Sequence, residues 1–228
     1  MIIGNGLIAK SFKNFDLPDV VFFASGVSNS LEDRKEEFNR EEKLLRKTIE
    51  ENKEKLFIYF STCSIYDSSK NTSSYVNHKL KMEYIVENLS HQYLVLRVSN
   101  VVGKGGNKNT LINYLISAIK SHEVINVYTK ATRNLIDIQD LVQITYKLIN
   151  QGEKNKIFNI AYIYGYHITE ILEIIENFLS LTPNIRLLNE GNSYLIDIRY
   201  IEDHFKKNNL LDKKRYLQNI LEKYFDKD

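Results

Sequence analysis

The chain has 228 residues, 43% hydrophobic and 26% charged, the composition of an ordinary soluble globular protein of one good-sized domain, or one domain with a smaller lobe. A formal net charge of +2 gives no electrostatic footprint for nucleic acid or for an anionic membrane surface. The single Cys63 excludes an internal disulfide and a Cys-based zinc cluster. The five histidines (His78, His91, His122, His167, His204) fall at no ligand spacing, so no metal is expected.

No run of about 20 apolar residues occurs, so no membrane span is expected. The start "MIIGNGLIAKSF" lacks a basic n-region and a cleavage site, so a cytoplasmic location is the expectation. Along the chain, apolar runs alternate with helical patterns. "MII" is a very short strand, followed by glycines and the helix-like "LIAKSFKNF"; "DVVFFASG" is a run of β-formers ending in small residues. The charge run "LEDRKEEFNREEKLLRKTIEENKEK" keeps Leu31, Phe38, Leu44, Leu45 and Ile49 as a thin apolar stripe, which reads as a surface helix with a solvated face.

"LFIYFST" is the next buried strand, then a polar loop and the helix "SSYVNHKLKMEYIVENL". "YLVLRVSNVVG" reads as one strand, "NTLINYLISAIKSH" as a helix, "VINVYT" as a strand and "IQDLVQITYKLINQG" as a helix. "KIFNIAY" reads as a strand and "HITEILEIIENFLSL" as a helix; the tail offers one strand, "YLIDIR", and a final helix around "KKRYLQNILEKYF". Strands alternating with crossover helices predict a mainly parallel sheet covered on both faces. Ligands in such sheets bind beyond the C-terminal strand ends, where the small residues fall here.

Three stretches carry chemistry. "GNGLIA", Gly4 to Ala9, has the form G-x-G-x-x-A after an apolar strand: glycine permits a sharp turn and lets a pyrophosphate approach the backbone. A tight strand–helix turn needing glycines gives the same pattern. "FSTCSIYD" ends a buried strand with the hydroxyls of Ser61, Thr62 and Ser64, which suit a site or a local cap equally; Cys63 between them reads as a small packed side chain. Tyr75 and Lys79 lie four apart on one helix face. A free tyrosine titrates near 10, and an ammonium beside it would bring that value toward the working range.

Taken in order, "GNGLIA", "FFASG", "STCSIYD", "SSYVNHKLKME", "LRVSNVVGKG" and "RNLIDIQDLV" resemble the extended short-chain dehydrogenase/reductase superfamily, in its nucleotide-sugar epimerase, dehydratase and reductase branch. The resemblance runs to about residue 175. It implies Gly4, Gly6, Leu7, Ile8, Ala24, Ser25, Gly26, Tyr75 and Lys79 against NAD or NADP, Thr62, Tyr75 and Lys79 as catalytic residues, and Ser64, Asn100 and Arg133 against a nucleotide-sugar substrate. Glu83 is the acidic residue that often follows the Tyr-x-x-x-Lys pattern. The implied fold is α/β: a Rossmann-like, doubly wound, mainly parallel sheet over residues 1–162, with 104–130 contributing to a small substrate lobe completed by 163–228.

One departure stands out. A usual member carries a second strand, a helix and a third strand between the glycine turn and "DVVFFASG", and the second strand ends in the residue that selects NAD or NADP. That segment is missing, and Asp16 and Asp19 read as loop residues. The first strand is also curtailed, and Ala9 replaces the third glycine.

The implied activity is oxidoreduction of a nucleotide-activated sugar, with 4-keto reduction as the leading reaction. Tyr75 would move the proton, Lys79 would lower its pKa and hold the nicotinamide ribose, and Thr62 would polarise the carbonyl. A C4 epimerase uses the same residues, and a trimmed, non-catalytic Rossmann module with a binding or regulatory role is the rival from another class. A 4,6-dehydratase usually has Asp-Glu just after the catalytic Thr, where Cys63 and Ser64 stand here. Family members commonly dimerise through two long helices, here around 31–55 and 75–89, so a homodimer is one implied assembly; neither nucleic acid nor membrane is an expected partner.

Overall fold

The computed structural model describes residues 1–15 and 17–226; Asp16, read above as a loop residue, lies outside them. The chain divides into two compact units, one made of Met1–Val98 and Ile138–Ile160, the other of Ser99–Asp137 and everything described from Ala161 onward.

In the first unit β1 is Ile2–Ile3, α1 Leu7–Ser11, β2 Val20–Phe23, α2 Lys35–Glu51, β3 Leu56–Thr62, α3 Ser74–Leu89 and β4 Gln92–Val98. The second unit takes β5 (Asn100–Val102), α4 (Leu111–Lys120), β6 (Ile125–Tyr128) and β7 (Thr132–Asp137). The chain returns to the first for α5 (Ile138–Asn150) and β8 (Lys156–Ile160). The second unit then closes with β9 (Gly165–His167), α6 (Ile168–Leu179), β10 (Ile185–Leu188), α7 (Glu202–Lys207) and α8 (Lys213–Tyr224).

The sheet of the first unit runs β1-β2-β3-β4-β8, every neighbouring pair parallel. Its alternation sorts side chains to two faces. Val21, Phe23, Phe57, Tyr59 and Val95 pack with Leu45 and Ile49 of α2 and with Met82, Ile85 and Val86 of α3. On the other face Phe12 stacks on Phe22 with centroids 4.7 Å apart and meets Phe60 at 5.4 Å.

Among the described residues no strand lies between β1 and β2 in sequence: α1 leads to a 3-10 turn at Lys13–Phe15, and β2 begins at Val20. β1 is therefore an edge strand, and the sheet lacks the two strands that the family places beyond it. Asp19 is an exposed turn residue whose carbonyl accepts from the Leu56 N–H, as a loop residue would.

Helix α2 starts later than its charge run suggests. Leu31, counted above in the apolar stripe, precedes the helix and is 84% exposed. The buried positions of α2 are Glu41, Leu45, Thr48 and Ile49, a stripe at helical spacing that includes a carboxylate.

In the second unit β7 is central, parallel to β5 and antiparallel to β9, while β6 pairs with β10. Tyr162, Tyr166, Phe205 and Tyr216 form its aromatic core, Tyr162 and Tyr216 stacking with centroids 3.8 Å apart. The Asp137 carboxylate, ending β7, accepts from Lys223 and Tyr224, which ties α8 to that strand end.

Two sequence expectations are corrected. "YLVLRVSNVVG" is two strands, β4 and β5, because the β3–β4 ladder ends at Thr62 opposite Val98 and the next residues pair with β7 instead. "YLIDIR" is not a strand: Asp197 and Arg199 pair with each other in a local bend. The tail's strand is "IRLL" at Ile185–Leu188, largely exposed and so without an apolar alternation to betray it.

Among the described residues no helix is long and apolar enough to cross a membrane.

Candidate active site

The site is built at the C-terminal end of β3, where the strand stops on Ser61 and Thr62 and α3 begins twelve residues later at Ser74. Thr62 does two things. Its Oγ1 accepts the Ser64 N–H at 3.0 Å, capping the 3-10 turn at Cys63–Tyr66, and its hydroxyl lies close enough to the phenol of Tyr75 to favour that phenol's ionised form. The local-cap reading of this hydroxyl is borne out.

Tyr75 lies in the first turn of α3, with its ring among Val27, Val76, Phe38 and Ile65. Burial pushes its phenol up to about 12; the Thr62 hydrogen bond pulls the other way, and the charge of Glu41 adds to the rise. The shift is opposite to the lowering expected from Lys79, and the charge acting on the phenol is a carboxylate.

Lys79, one turn further along α3, explains the difference. Its side chain is 2% exposed, and its Nζ donates to Glu41 Oε1 at 3.2 Å and lies 4.3 Å from the centroid of the Tyr59 ring. Glu41 is wholly buried and receives four donors: the Val27 N–H at 2.6 Å, Tyr59 OH at 2.7 Å, His78 Nε2 at 3.0 Å and Lys79. Burial disfavours its charge, but the Lys79 ammonium and the hydrogen bonds of His78, Val27 and Tyr59 outweigh that, so the carboxyl lies well below the usual range. An ionised carboxylate only accepts, so His78 presents Nε2–H to it.

A second buried pair frames the same strand end. Glu83 accepts Ser61 Oγ at 2.5 Å and is forked by Arg97, whose Nη2 is 2.6 Å away. Arg97 also donates to Tyr66 OH at 3.3 Å, and Tyr66 OH donates to Asn159 Oδ1 at 2.9 Å. This network fixes β3 against α3 one residue from Thr62 and one turn from Lys79. Cys63 behaves as read from the sequence: it is buried, its Sγ donates to the Arg97 carbonyl, and burial pushes its thiol up to about 12.

The glycines report where a ligand could come close. Gly4 sits at φ +129°, and a Cβ there would collide with the backbone carbonyl of Ala24, so the turn after β1 and the end of β2 are packed together. We expect Gly4→Ala to cost about 1–3 kcal/mol of stability, read from urea unfolding; an unchanged midpoint would refute the tight packing. Gly6, at the N-cap of α1, has nothing within 4 Å of its missing Cβ, so its backbone is bare. A Cβ on Gly26 would stand 2.9 Å from Lys79 Nζ and 3.0 Å from Glu41 Oε1, so the ion pair rests against that backbone.

These features fit the nicotinamide and pyrophosphate side of a dinucleotide: a bare glycine at the strand–helix turn, the small Ala24-Ser25-Gly26 run ending β2, and the Thr62, Tyr75 and Lys79 side chains. They do not provide the adenosine side, since the sheet ends at β1.

The structure places Thr62, Tyr75 and Lys79 in the first unit, Thr62 beside Tyr75 and Lys79 one turn further along the helix of Tyr75, with Gly4, Gly6, Leu7, Ile8, Ala24, Ser25, Gly26 and Ser64 in that same unit. Asn100 and Arg133 belong to the second unit. There Asn100 Nδ2 donates to the Asn134 carbonyl at 2.8 Å and Arg133 Nη1 to the Thr132 carbonyl at 2.7 Å. Sequence reasoning missed Glu41. The signal was present: it lies three residues after Phe38 and four before Leu45, on the helix's own apolar stripe.

A parallel sheet with a glycine turn after its first strand, and a strand-end threonine bonded to the tyrosine of a Tyr-x-x-x-Lys helix, define a Rossmann-like short-chain dehydrogenase/reductase fold. Residues 4–161 match the NAD dependent epimerase/dehydratase family, and the chain belongs to it, as an internally shortened member. The chain is similar to the GDP-6-deoxy-D-talose 4-dehydrogenase of Aggregatibacter actinomycetemcomitans, 30% identical over 150 residues. That match covers 59% of this chain and 51% of the other, so the chain spans about half the length of that curated relative.

Among solved structures, RMD from Pseudomonas aeruginosa complexed with NADPH superposes with a TM-score of 0.75 over 97% of both chains at 15% identity. UDP-glucuronic acid 4-epimerase from Bacillus cereus, in complex with UDP-glucuronic acid and NAD, gives 0.69 over 95% of this chain and 79% of its own at 17% identity. At these identities the two share the fold with this chain.

Proposed function

We propose that this protein is an NAD(P)-dependent oxidoreductase that reduces the 4-keto group of a nucleotide-activated sugar. The observation that carries the reading is the placing of the Thr62 hydroxyl beside the Tyr75 phenol at the end of β3, with Lys79 buried one turn along the same helix. Oxidation at C4 of a GDP-6-deoxy sugar, the activity in the relative's name, and reduction of the resulting ketone are two directions of one hydride transfer.

A bound reduced nicotinamide would supply the hydride. Tyr75, a neutral phenol at physiological pH, gives its proton to the carbonyl oxygen. Thr62, with an acceptor site filled by the Ser64 N–H, donates its own O–H to that oxygen as charge develops. Lys79 would hold the cofactor's ribose through the N–H groups not given to Glu41. Gly4, Gly6, Leu7, Ile8, Ala24, Ser25 and Gly26 are assigned to the cofactor, and Ser64, Asn100 and Arg133 to the substrate on the family pattern alone.

The test is titration with NADH, NADPH and reduced nicotinamide mononucleotide, followed by nicotinamide fluorescence. The segment that grips adenosine and selects the ribose phosphate is missing. We therefore expect weak binding, with NADH and NADPH within about threefold of each other and the mononucleotide within about tenfold. Net loss of NAD(P)H absorbance with a 4-keto nucleotide sugar identifies the reductase; interconversion of C4 isomers without net loss identifies an epimerase. No binding of either dinucleotide at millimolar concentration would leave a non-catalytic module.

A further inference from the structure

The buried carboxylate of Glu41 has no part in the Tyr-x-x-x-Lys pattern, yet it is the group to which that pattern's lysine is bound. Its setting joins β3, α3 and the loop after β2. The loop after β2 donates a backbone N–H from Val27, β3 donates the Tyr59 hydroxyl, and α3 donates His78 Nε2 and Lys79 Nζ. His78 is held in turn by stacking on Phe38, with centroids 4.5 Å apart, so α2 supplies both the carboxylate and the ring that orients its donor. Gly26 supplies the space: any side chain there would meet both Lys79 Nζ and Glu41 Oε1.

A carboxylate wholly removed from water is costly to keep, and a helix with a solvated face elsewhere has no packing need for one at a core position. The geometry accounts for it through Lys79. An ammonium that is 2% exposed needs a counter-charge, and Glu41 gives one at 3.2 Å.

We propose that Glu41 is a positioning residue of this active site: its carboxylate anchors the Lys79 ammonium against Gly26 and takes up part of its charge, so that Glu41 sets how strongly Lys79 acts on Tyr75. This rests on the proposed role of Tyr75 as proton donor and sharpens it. Tyr75 is faced by Thr62 from β3 and by Glu41 from α2. Glu41 is faced by Tyr59 from β3 and by His78 and Lys79 from α3, and the next charge, on Glu83, is forked by Arg97. Glu41 therefore sets the electrostatic state of the phenol in two ways: by its own charge and by neutralising the lysine that would otherwise oppose it.

The experiment reads Tyr75 directly, without cofactor or turnover, so an inactive protein still reports on Glu41 and an unaltered Tyr75 leaves the reductase reading standing. In protein carrying ¹³Cζ-tyrosine, the Tyr75 signal is assigned by its loss in Tyr75→Phe and followed up to pH 11. At that pH a phenol near 12 is about one-tenth ionised. In Glu41→Gln, which keeps the shape and loses the charge, a fall of about one unit would leave it half ionised, roughly a fivefold larger displacement of the signal. Glu41→Asp, which keeps the charge, should follow the parent. A Tyr75 signal that behaves in Glu41→Gln as in the parent overturns the proposal. If Glu41→Gln does not fold, the parent alone decides: the Lys79 ¹⁵Nζ ammonium, assigned by Lys79→Met, must be visible at pH 6 through slow exchange. Its loss into solvent exchange, like that of a surface lysine, overturns the proposal equally.

Discussion

Replacing Tyr75 by phenylalanine is expected to lower turnover in the proposed reduction by a factor of about 10²–10⁴, the usual worth of a positioned general acid, and to leave the fold standing. The ring stays in its apolar setting of Val27, Val76, Phe38 and Ile65, so the packing at the start of α3 is kept. What is lost is one hydroxyl and its hydrogen bond to Thr62, about 1 kcal/mol of stability. Turnover and the urea midpoint measured together check this. Near-parental turnover with a folded protein would remove Tyr75 from the chemistry.

The same residue fixes the pH behaviour. Its pKa is raised from 10.0 to about 12, so nearly all of it is neutral below pH 10. The reduction, which needs the neutral acid, should show no limb from Tyr75 between about pH 6 and 9, while the reverse oxidation, which needs the phenolate, should climb with pH. The linkage to folding has a matching sign. The folded value lies above the unfolded one, so the stabilisation is fully present below pH 10.0 and is lost as the pH rises through about 12.

Arg97→Ala is expected to be the most destabilising single change near the site, by about 3–5 kcal/mol. Glu83 is 3% exposed and depends on the guanidinium fork and on Ser61 for its solvation. Removing the fork leaves a charge in the interior with one hydroxyl for company. A domain of this size holds about 5–15 kcal/mol in all, so the loss should be plain in urea unfolding. The double variant Arg97→Met/Glu83→Gln should recover most of it, because no unpaired charge remains. A single variant within about 1 kcal/mol of the parent would mean that water reaches Glu83. The network joins the end of β3 to α3, so looser packing here should also lengthen the Thr62–Tyr75 contact and lower turnover in the surviving folded protein.

Much of the site was legible because its chemistry needs particular residue types at short spacing. Tyr75 and Lys79 share a helix face by arithmetic, and Thr62 ends a run that is apolar enough to be a buried strand. Glu41 was hidden by company: it stands in a run of charges whose general reading, a solvated face, is right for most of its neighbours and wrong for the position that points inward. Leu31 failed for the complementary reason, an apolar residue counted into a helix that starts four residues later.

From the chain alone came the alternation of strands and crossover helices and the mainly parallel sheet, which follow from local periodicity. The missing segment after the glycine turn and the assignment of Thr62, Tyr75 and Lys79 came from the family resemblance, which rests on motifs a few residues long. Tertiary structure alone decided which charges are paired. Glu41 and Lys79 are 38 residues apart and Glu83 and Arg97 are 14 apart, and neither pairing has a spacing that local geometry enforces. The consequence is large because the interior screens charge poorly: the same lysine can lower a neighbouring phenol's pKa or be neutralised before it acts, and only the position of a carboxylate on another helix chooses between them.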